Sequence, residues 1–131
     1  MSVAGVGVDV VDVARARGIM ERHGERALRR FLTDAERDYV LRHADPAQAF
    51  AVRLAAKEAV YKALAEWKDQ PSVTWRHIEV ARLAGGKPRV LLHGAGLVAA
   101  RGLGITAIHL SLSHSTTSAI AMAVLERGAT R

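Results

Sequence analysis

Residues 50–64 read FAVRLAAKEAVYKAL, and this stretch decides the fold. Alanine is the strongest helix former, and no glycine or proline occurs between Ala47 and Trp67, so we predict one long helix. At about 100° per residue, one side of this helix is smooth and apolar. The opposite half carries four charged side chains among larger apolar ones: Arg53, Lys57, Glu58 and Lys62.

Glu58 is the most informative of these charges, because Leu54 and Tyr61 flank it on its own face of the helix. A carboxylate there is partly desolvated, which costs free energy unless a cation or hydrogen-bond donors compensate. Two interpretations stay open. Glu58 and Lys62 form an ordinary i,i+4 pair on a solvated face, worth about 0.3 kcal/mol, or Glu58 meets charges from elsewhere in the chain and has a function.

The composition is that of an ordinary globular protein, and we predict a single domain over residues 1–131. There is no cysteine for a disulfide, a thiolate nucleophile or a cysteine-bound zinc ion. No apolar run is long enough to cross a bilayer and no signal peptide is visible, so we expect a cytoplasmic protein without a membrane partner. The formal charge of +6 predicts an anionic partner: a nucleic acid, a phosphorylated small molecule or an acidic protein.

Helical patterns dominate the first half of the chain and antiparallel strand patterns the second, which predicts an α+β domain. A capping box of Thr33 and Glu36 opens a short helix, and Asp45-Pro46 begins the long one. The other predicted helices are a basic segment at Ala14–Phe31, broken near Gly24, and a short helix at Gly94–Gly104. The predicted strands are Val3–Val13, Ser72–Leu83, Arg89–Leu92, Thr106–Ser115 and Ala119–Glu126, with a hairpin turn at Gly85–Pro88.

Four chemically active side chains come from distant parts of the sequence: Asp9, Glu58, Lys62 and His114. Two carboxylates from different elements suit a Mg²⁺ ion that also takes phosphate oxygens, and a neighbouring lysine suits phosphate as a point charge. This set is typical of phosphoryl transfer. Spacing alone does not show that the four side chains meet.

Three motifs carry a resemblance: GVDVVDVAR at 7–15, RLAAKEAVYKAL at 53–64 and LSHS at 112–115. In this order they resemble the holo-acyl-carrier-protein synthases, which are small phosphopantetheinyl transferases. The resemblance implies the 4′-phosphopantetheinyl transferase fold, an antiparallel sheet packed on a long central helix. It also implies a homotrimer with sites at the subunit interfaces, which would explain a long helix that is apolar on both sides.

The activity implied by the resemblance is transfer of the 4′-phosphopantetheine group from the substrate coenzyme A to a serine hydroxyl of an acidic apo acyl carrier protein. The second product is adenosine 3′,5′-bisphosphate. Asp9 and Glu58 match the Mg²⁺ ligands and Lys62 matches the lysine beside the diphosphate, so these three form the implied catalytic set. The general base stays open between Glu58 and a metal-bound water.

The resemblance also assigns binding residues. Arg53 and His114 match residues near the nucleotide and its 3′-phosphate, and Lys87-Pro88 matches a loop near the adenine. From the strand pattern alone, His114 would be a buried core histidine, and Lys87 in a turn would be merely solvated. The face of the first helix that docks the carrier protein is matched by Arg15, Ile19 and Arg22.

Two other function classes stay open. The first is a basic nucleic-acid-binding module that uses the first helix, although only Trp67 and Trp75 are suited to stacking on bases. The second is a non-catalytic module that only binds carrier protein. Residues 65–71, AEWKDQP, replace a loop that is usually rich in glycine, so coenzyme contacts there are not carried over.

Overall fold

One long helix lies at the centre of the computed structural model, which describes residues 1–64, 72–82 and 85–128. The helices are α1 (Val13–His23), α2 (Glu25–Phe31), α3 (Asp34–Arg42), α4 (Pro46–Leu64) and α5 (Gly94–Gly102). The strands are β1 (Ser2–Asp12), β2 (Ile78–Arg82), β3 (Pro88–Leu92), β4 (Ile105–His114) and β5 (Ser118–Arg127). This arrangement confirms the predicted α+β class.

The strands form two antiparallel units. A three-stranded sheet has the order β1-β5-β4, and β2 pairs with β3 as a hairpin. Gly85 and Gly86 make the hairpin turn with φ angles of 90° and 87°, which favour glycine. The predicted strand Ser72–Leu83 is wrong in its first half, because Trp75–His77 form a 3₁₀ turn before β2. The end of that predicted strand at Leu83 lies outside the described residues, as does the predicted loop at 65–71.

The helix boundaries follow the local sequence signals. Thr33 and Glu36 form the predicted capping box at the start of α3. Gly24 separates α1 from α2 with a φ angle of 53°, a conformation that side chains with a Cβ rarely adopt. The carboxylate of Asp45 accepts a hydrogen bond of 3.3 Å from the amide of Gln48 and so satisfies a free donor at the start of α4.

The long helix α4 is buried on nearly all sides within a single chain. It packs against β1 and β5 on one side and against α1, α3 and β2 on the others. A neighbouring subunit is therefore not needed to explain its apolar faces. The charged half of the predicted helix is not a solvated face at Arg53 and Lys57, because these side chains are only 3% and 0% exposed. None of the described helices is both long and apolar enough to span a membrane.

Candidate active site

The geometry of the site begins with the two glycines that precede Asp9 on β1. Residues two apart on a strand point to the same face, so Gly5, Gly7 and Asp9 all face α4. A Cβ atom on Gly7 would lie 1.8 Å from the carbonyl oxygen of Ala59, and one on Gly5 would lie 2.2 Å from that of Ala63. Only glycine therefore lets β1 lie directly against the backbone of α4, which brings Asp9 to the polar residues of that helix.

Lys62 of α4 reaches across to β1. Its Nζ lies 2.7 Å from Asp9 Oδ1 and also donates to the carbonyl oxygen of Val8 at 3.2 Å. The side chain of Asp9 is only 10% exposed, whereas that of Lys62 is 56% exposed. The lysine therefore pairs with a carboxylate from another element rather than forming only the local pair with Glu58.

Glu58 lies beside the same carboxylate, and the two acids have opposite pKa shifts. Burial and the adjacent, negatively charged carboxylate of Asp9 raise the pKa of Glu58 to about 7. Burial alone would raise the pKa of Asp9, but its contacts with Glu58 and Lys62 and the charges of Lys62 and Arg15 hold it below its ordinary value. The hydrogen bond to Asp9 also raises the pKa of Lys62. At neutral pH the site therefore combines an ionised aspartate, a half-titrated glutamate and an ammonium group.

The carboxylates fit a hard divalent cation. Asp9 Oδ2 is buried and has no hydrogen-bond partner within the described part of the chain, so a bound cation would satisfy it. The described residues contain no group of three histidine, cysteine, aspartate or glutamate side chains able to enclose a metal ion. Two carboxylates suit Mg²⁺, which usually keeps several waters and takes substrate phosphates as its other ligands.

Arg53 is the predicted nucleotide residue whose surroundings differ most from expectation. Its guanidinium carbon lies 3.8 Å from the centre of the Tyr39 ring, and its Nε is buried without a hydrogen-bond partner among the described residues. Arg82 approaches the same ring at 5.7 Å. Because Tyr39 covers the guanidinium, a contact between Arg53 and a nucleotide stays a prediction that requires this cluster to rearrange.

The other predicted coenzyme residues lie on the β-strands. Lys87 is exposed at the β2–β3 turn, and Lys87 and Pro88 help to line a cavity of about 400 Å³ beside β4. His114 is exposed at the end of β4 and is not a buried core histidine. Among the described residues, no hydrogen bond or ion pair joins this group to Asp9 or Glu58. Their coenzyme contacts stay predictions.

The predicted docking residues lie together on α1. Arg15 and Arg22 are exposed and Ile19 is half-buried between them. The charge of Arg15 influences the pKa of both Asp9 and Glu58, so this basic face adjoins the carboxylates. Ile19 also lines a groove of about 710 Å³ between α1 and α2, whose rim carries further basic residues, Arg26, Arg29 and Arg30.

The sequence reasoning missed the buried ion pair between Lys57 and Glu36. The two side chains are fully buried, and Lys57 Nζ lies 2.6 Å from Glu36 Oε1. The only sequence signals were a lysine on a helix otherwise rich in alanine and a capping-box glutamate. Neither signal indicates that the two residues meet across 21 positions of the chain.

Comparison with known proteins matches this geometry to a family. A family model described as the 4′-phosphopantetheinyl transferase superfamily matches residues 5–121. The chain belongs to this superfamily. The holo-[acyl-carrier-protein] synthase of Beutenbergia cavernae is 46% identical over 125 residues, which cover 95% of this chain and 99% of that protein. The resemblance inferred from the three motifs is therefore confirmed.

Solved structures of phosphopantetheinyl transferases share the fold. The holo-[acyl-carrier-protein] synthase of Neisseria meningitidis matches with a TM-score of 0.87 at 28% identity, over 96% of this chain and all of that one. The synthase of Bacillus anthracis, solved in complex with coenzyme A (3′,5′-ADP), matches with a TM-score of 0.74 at 28% identity, over 96% of this chain and 98% of that one. The predicted phosphopantetheinyl transferase fold is confirmed.

Proposed function

We propose that this transferase moves the 4′-phosphopantetheine group of coenzyme A to a serine hydroxyl of an apo acyl carrier protein, with Asp9, Glu58 and Lys62 as its reaction centre. The observation that carries the proposal is the 2.7 Å pair of Asp9 and Lys62 beside Glu58. The relatives named holo-[acyl-carrier-protein] synthases, one of them solved with coenzyme A, support the substrates. The products are holo carrier protein and adenosine 3′,5′-bisphosphate.

The reaction is a displacement at phosphorus. The serine oxygen bonds to the phosphorus that carries pantetheine, the diphosphate P–O bond breaks, and adenosine 3′,5′-bisphosphate leaves with its electron pair. Held by Asp9 and Glu58, Mg²⁺ would supply charge neutralisation at the diphosphate. The side chain of Lys62 is 56% exposed, and its ammonium group stabilises the charge on the leaving phosphate. Glu58 stays a candidate acceptor for the serine proton because it lies at the reaction centre beside Asp9.

The carrier protein docks on the basic face of α1 in this proposal. Acyl carrier proteins are acidic, and Arg15 and Arg22 offer exposed positive charges on either side of Ile19. The position of Arg15 near both carboxylates would bring a docked serine to the reaction centre.

The chain assembles as a homotrimer in this proposal, through the outer face of its three-stranded sheet. Val6, Val8 and Val10 of β1 are each more than half exposed, and Ile120 and Met122 of β5 are 43% and 44% exposed. The register places Val8 opposite Met122 and Val10 opposite Ile120, so these side chains form one continuous apolar surface. Such a surface is typical of a contact between protein chains. The composite sites expected at subunit interfaces would then join Lys87-Pro88 and His114 to the carboxylates of a neighbour.

The two other function classes lose their support. A nucleic-acid-binding module was inferred from the basic first helix, and an acidic carrier protein accounts for that face equally well. A non-catalytic carrier-binding module would not require Asp9 to be held beside Lys62 and Glu58. Binding of DNA or RNA that depends on Arg15 and falls steeply with salt would revive the first class.

The test is the release of adenosine 3′,5′-bisphosphate from coenzyme A, measured by chromatography in the presence of an apo acyl carrier protein and Mg²⁺. We expect Lys62→Ala to lower kcat by about 100-fold, the usual effect of removing one transition-state charge contact. Arg42→Ala, which removes an exposed positive charge on α3, is the matched control and should leave kcat unchanged. Full activity of Lys62→Ala, or no product from the wild-type protein, would contradict the proposal.

A further inference from the structure

The buried pair of Glu36 and Lys57 is the centre of a polar network that joins α3, α4 and β2. Besides its contact with Glu36, the ammonium group of Lys57 donates to the carbonyl oxygens of Trp75, at 2.8 Å, and Ile78. Glu36 Oε1 also accepts from the amide of Thr33 at 2.9 Å, and its Oε2 accepts from the amide of Val80 at 2.8 Å. All three ammonium protons and both carboxylate oxygens are therefore used.

Stability alone does not explain such a network. Taking two charges out of water costs several kcal/mol per ion, and apolar side chains of similar volume often give a protein at least as stable. The residues around the pair are apolar and well packed, for example Val40 and Ile78, which are both fully buried. The pair instead supplies structural specificity. Its donors and acceptors are satisfied in only one arrangement of α3, α4 and β2.

The elements that the network joins are those on which the reaction centre depends. Lys57 directly precedes Glu58 in α4, so its anchoring fixes the rotation of the helix at the metal-binding carboxylate. The carbonyl oxygens and the amide on the other side belong to the segment Trp75–Val80, which leads into β2 and pairs with β3. The turn of that hairpin carries Lys87.

The ring of Trp75 is held on the docking side by aromatic neighbours and not by the ion pair. Its ring packs at 5.7 Å from the ring of Tyr61 on α4 and at 6.2 Å from the ring of Phe31 on α2. Phe31 lines the basic groove between α1 and α2. Lys57 holds only the backbone carbonyl oxygen of this tryptophan, whereas Phe31 and Tyr61 hold its ring, so the groove does not depend on the pair.

We infer that Glu36 and Lys57 are positioning residues of the transfer reaction, which hold the β2–β3 hairpin at a set place relative to α4 of its own chain, so that the hairpin turn meets the carboxylates of the neighbouring subunit. This inference rests on the proposed function, because it takes the Lys87-Pro88 turn as part of the coenzyme site. The pair contacts no substrate. Its loss should therefore weaken the use of coenzyme A more than that of the carrier protein.

The experiment compares steady-state kinetics of the wild-type protein with those of the double variant Glu36→Gln, Lys57→Met, which removes both charges and keeps side chains of similar size. We expect the KM for coenzyme A to rise by about tenfold or more, since small misplacements of binding groups have large effects. The KM for the carrier protein should change by less than about twofold. Leu125→Ala, a buried change in β5 outside the network, is the control for lost stability and should leave both KM values near wild type.

An unchanged KM for coenzyme A in the double variant, or an equal rise in the Leu125→Ala control, would overturn the inference. If the double variant does not fold, amide hydrogen exchange of the wild-type protein decides. The amide of Val80, which donates to Glu36, should exchange as slowly as that of Ala59 in the centre of α4. If the Val80 amide exchanges about 100-fold faster than the Ala59 amide, the hairpin opens independently of α4. This result would also overturn the inference.

Failure of this inference can be distinguished from failure of the proposed function. A wild-type protein that releases no adenosine 3′,5′-bisphosphate would refute the transferase proposal. In that case, calorimetric binding of coenzyme A to the wild type and the double variant tests the inference. Weaker binding to the double variant alone would support it, and equal binding would overturn it.

Discussion

The raised pKa of Glu58 predicts that this residue lowers the stability of the metal-free protein. Its pKa rises from 4.5 to about 7, chiefly through burial and then through Asp9. A folded-state pKa above the unfolded value means that folding favours the protonated acid. The stability contributed by this group is therefore complete below about pH 4.5 and is lost as the pH rises through about 7.

The size of the loss follows from the shift. At about 1.36 kcal/mol per pH unit, the full shift corresponds to about 3 kcal/mol at pH 8. Glu58 is partly exposed, and solvent screening reduces this figure, so we expect about 1–2 kcal/mol. Asp9 does not contribute between about pH 5 and pH 8, because its pKa lies below its ordinary value and it is ionised in both states there.

The assay is urea unfolding in EDTA at about pH 5 and pH 8 and one protein concentration, for the wild type and Glu58→Gln. The stability of the variant relative to the wild type should rise by about 1–2 kcal/mol from the lower pH to the higher one. Glu21→Gln, an exposed change on α1, is the control and should show no such rise. A difference for Glu58→Gln that stays constant within about 0.5 kcal/mol would refute the reasoning.

Three further predictions concern β1, the oligomer and the docking face. Gly7→Ala should force β1 away from α4 and lower the unfolding free energy by about 1–3 kcal/mol. Turnover should fall as well, because Asp9 withdraws from Lys62. An unchanged melting curve and an unchanged rate would contradict the close approach of β1 to α4. Val8→Lys should convert a trimer into monomers in sedimentation equilibrium, and a monomeric wild-type protein would contradict the proposed assembly. Arg15→Glu should raise the KM for carrier protein about tenfold and the KM for coenzyme A much less, with Arg17→Glu as the control variant. Equal increases in the two KM values of Arg15→Glu would contradict the docking assignment.

The sequence was sufficient where a local signal had one structural meaning. Alanine content predicted α4, and the capping box of Thr33 and Glu36 predicted the start of α3. Gly5, Gly7 and Asp9 share one face of β1, and only the structure shows that this face lies against α4.

The rest depended on contacts between distant residues, which periodicity does not encode. A charged residue on an alanine-rich helix reads as exposed, yet Lys57 is buried because Glu36 and two backbone carbonyl groups surround its ammonium group. Arg53 is buried for a similar reason, with Tyr39 stacked against its guanidinium group. The residues before Ile78 read as a strand, but Trp75–His77 form a 3₁₀ turn, and the carbonyl oxygen of Trp75 accepts a hydrogen bond from Lys57.

The central claim is that Asp9, Glu58 and Lys62 form the centre at which phosphopantetheine is transferred. The most direct measurement is intact mass spectrometry of a purified apo acyl carrier protein after incubation with coenzyme A, Mg²⁺ and this protein. Parallel reactions contain EDTA or the Glu58→Gln variant, and each is repeated with a fatty-acid and a polyketide carrier. We predict a gain of one phosphopantetheine mass on at least one carrier with the wild type and Mg²⁺, and no gain with EDTA or the variant. The absence of any gain with both carriers, or the same gain with the variant, would contradict the account.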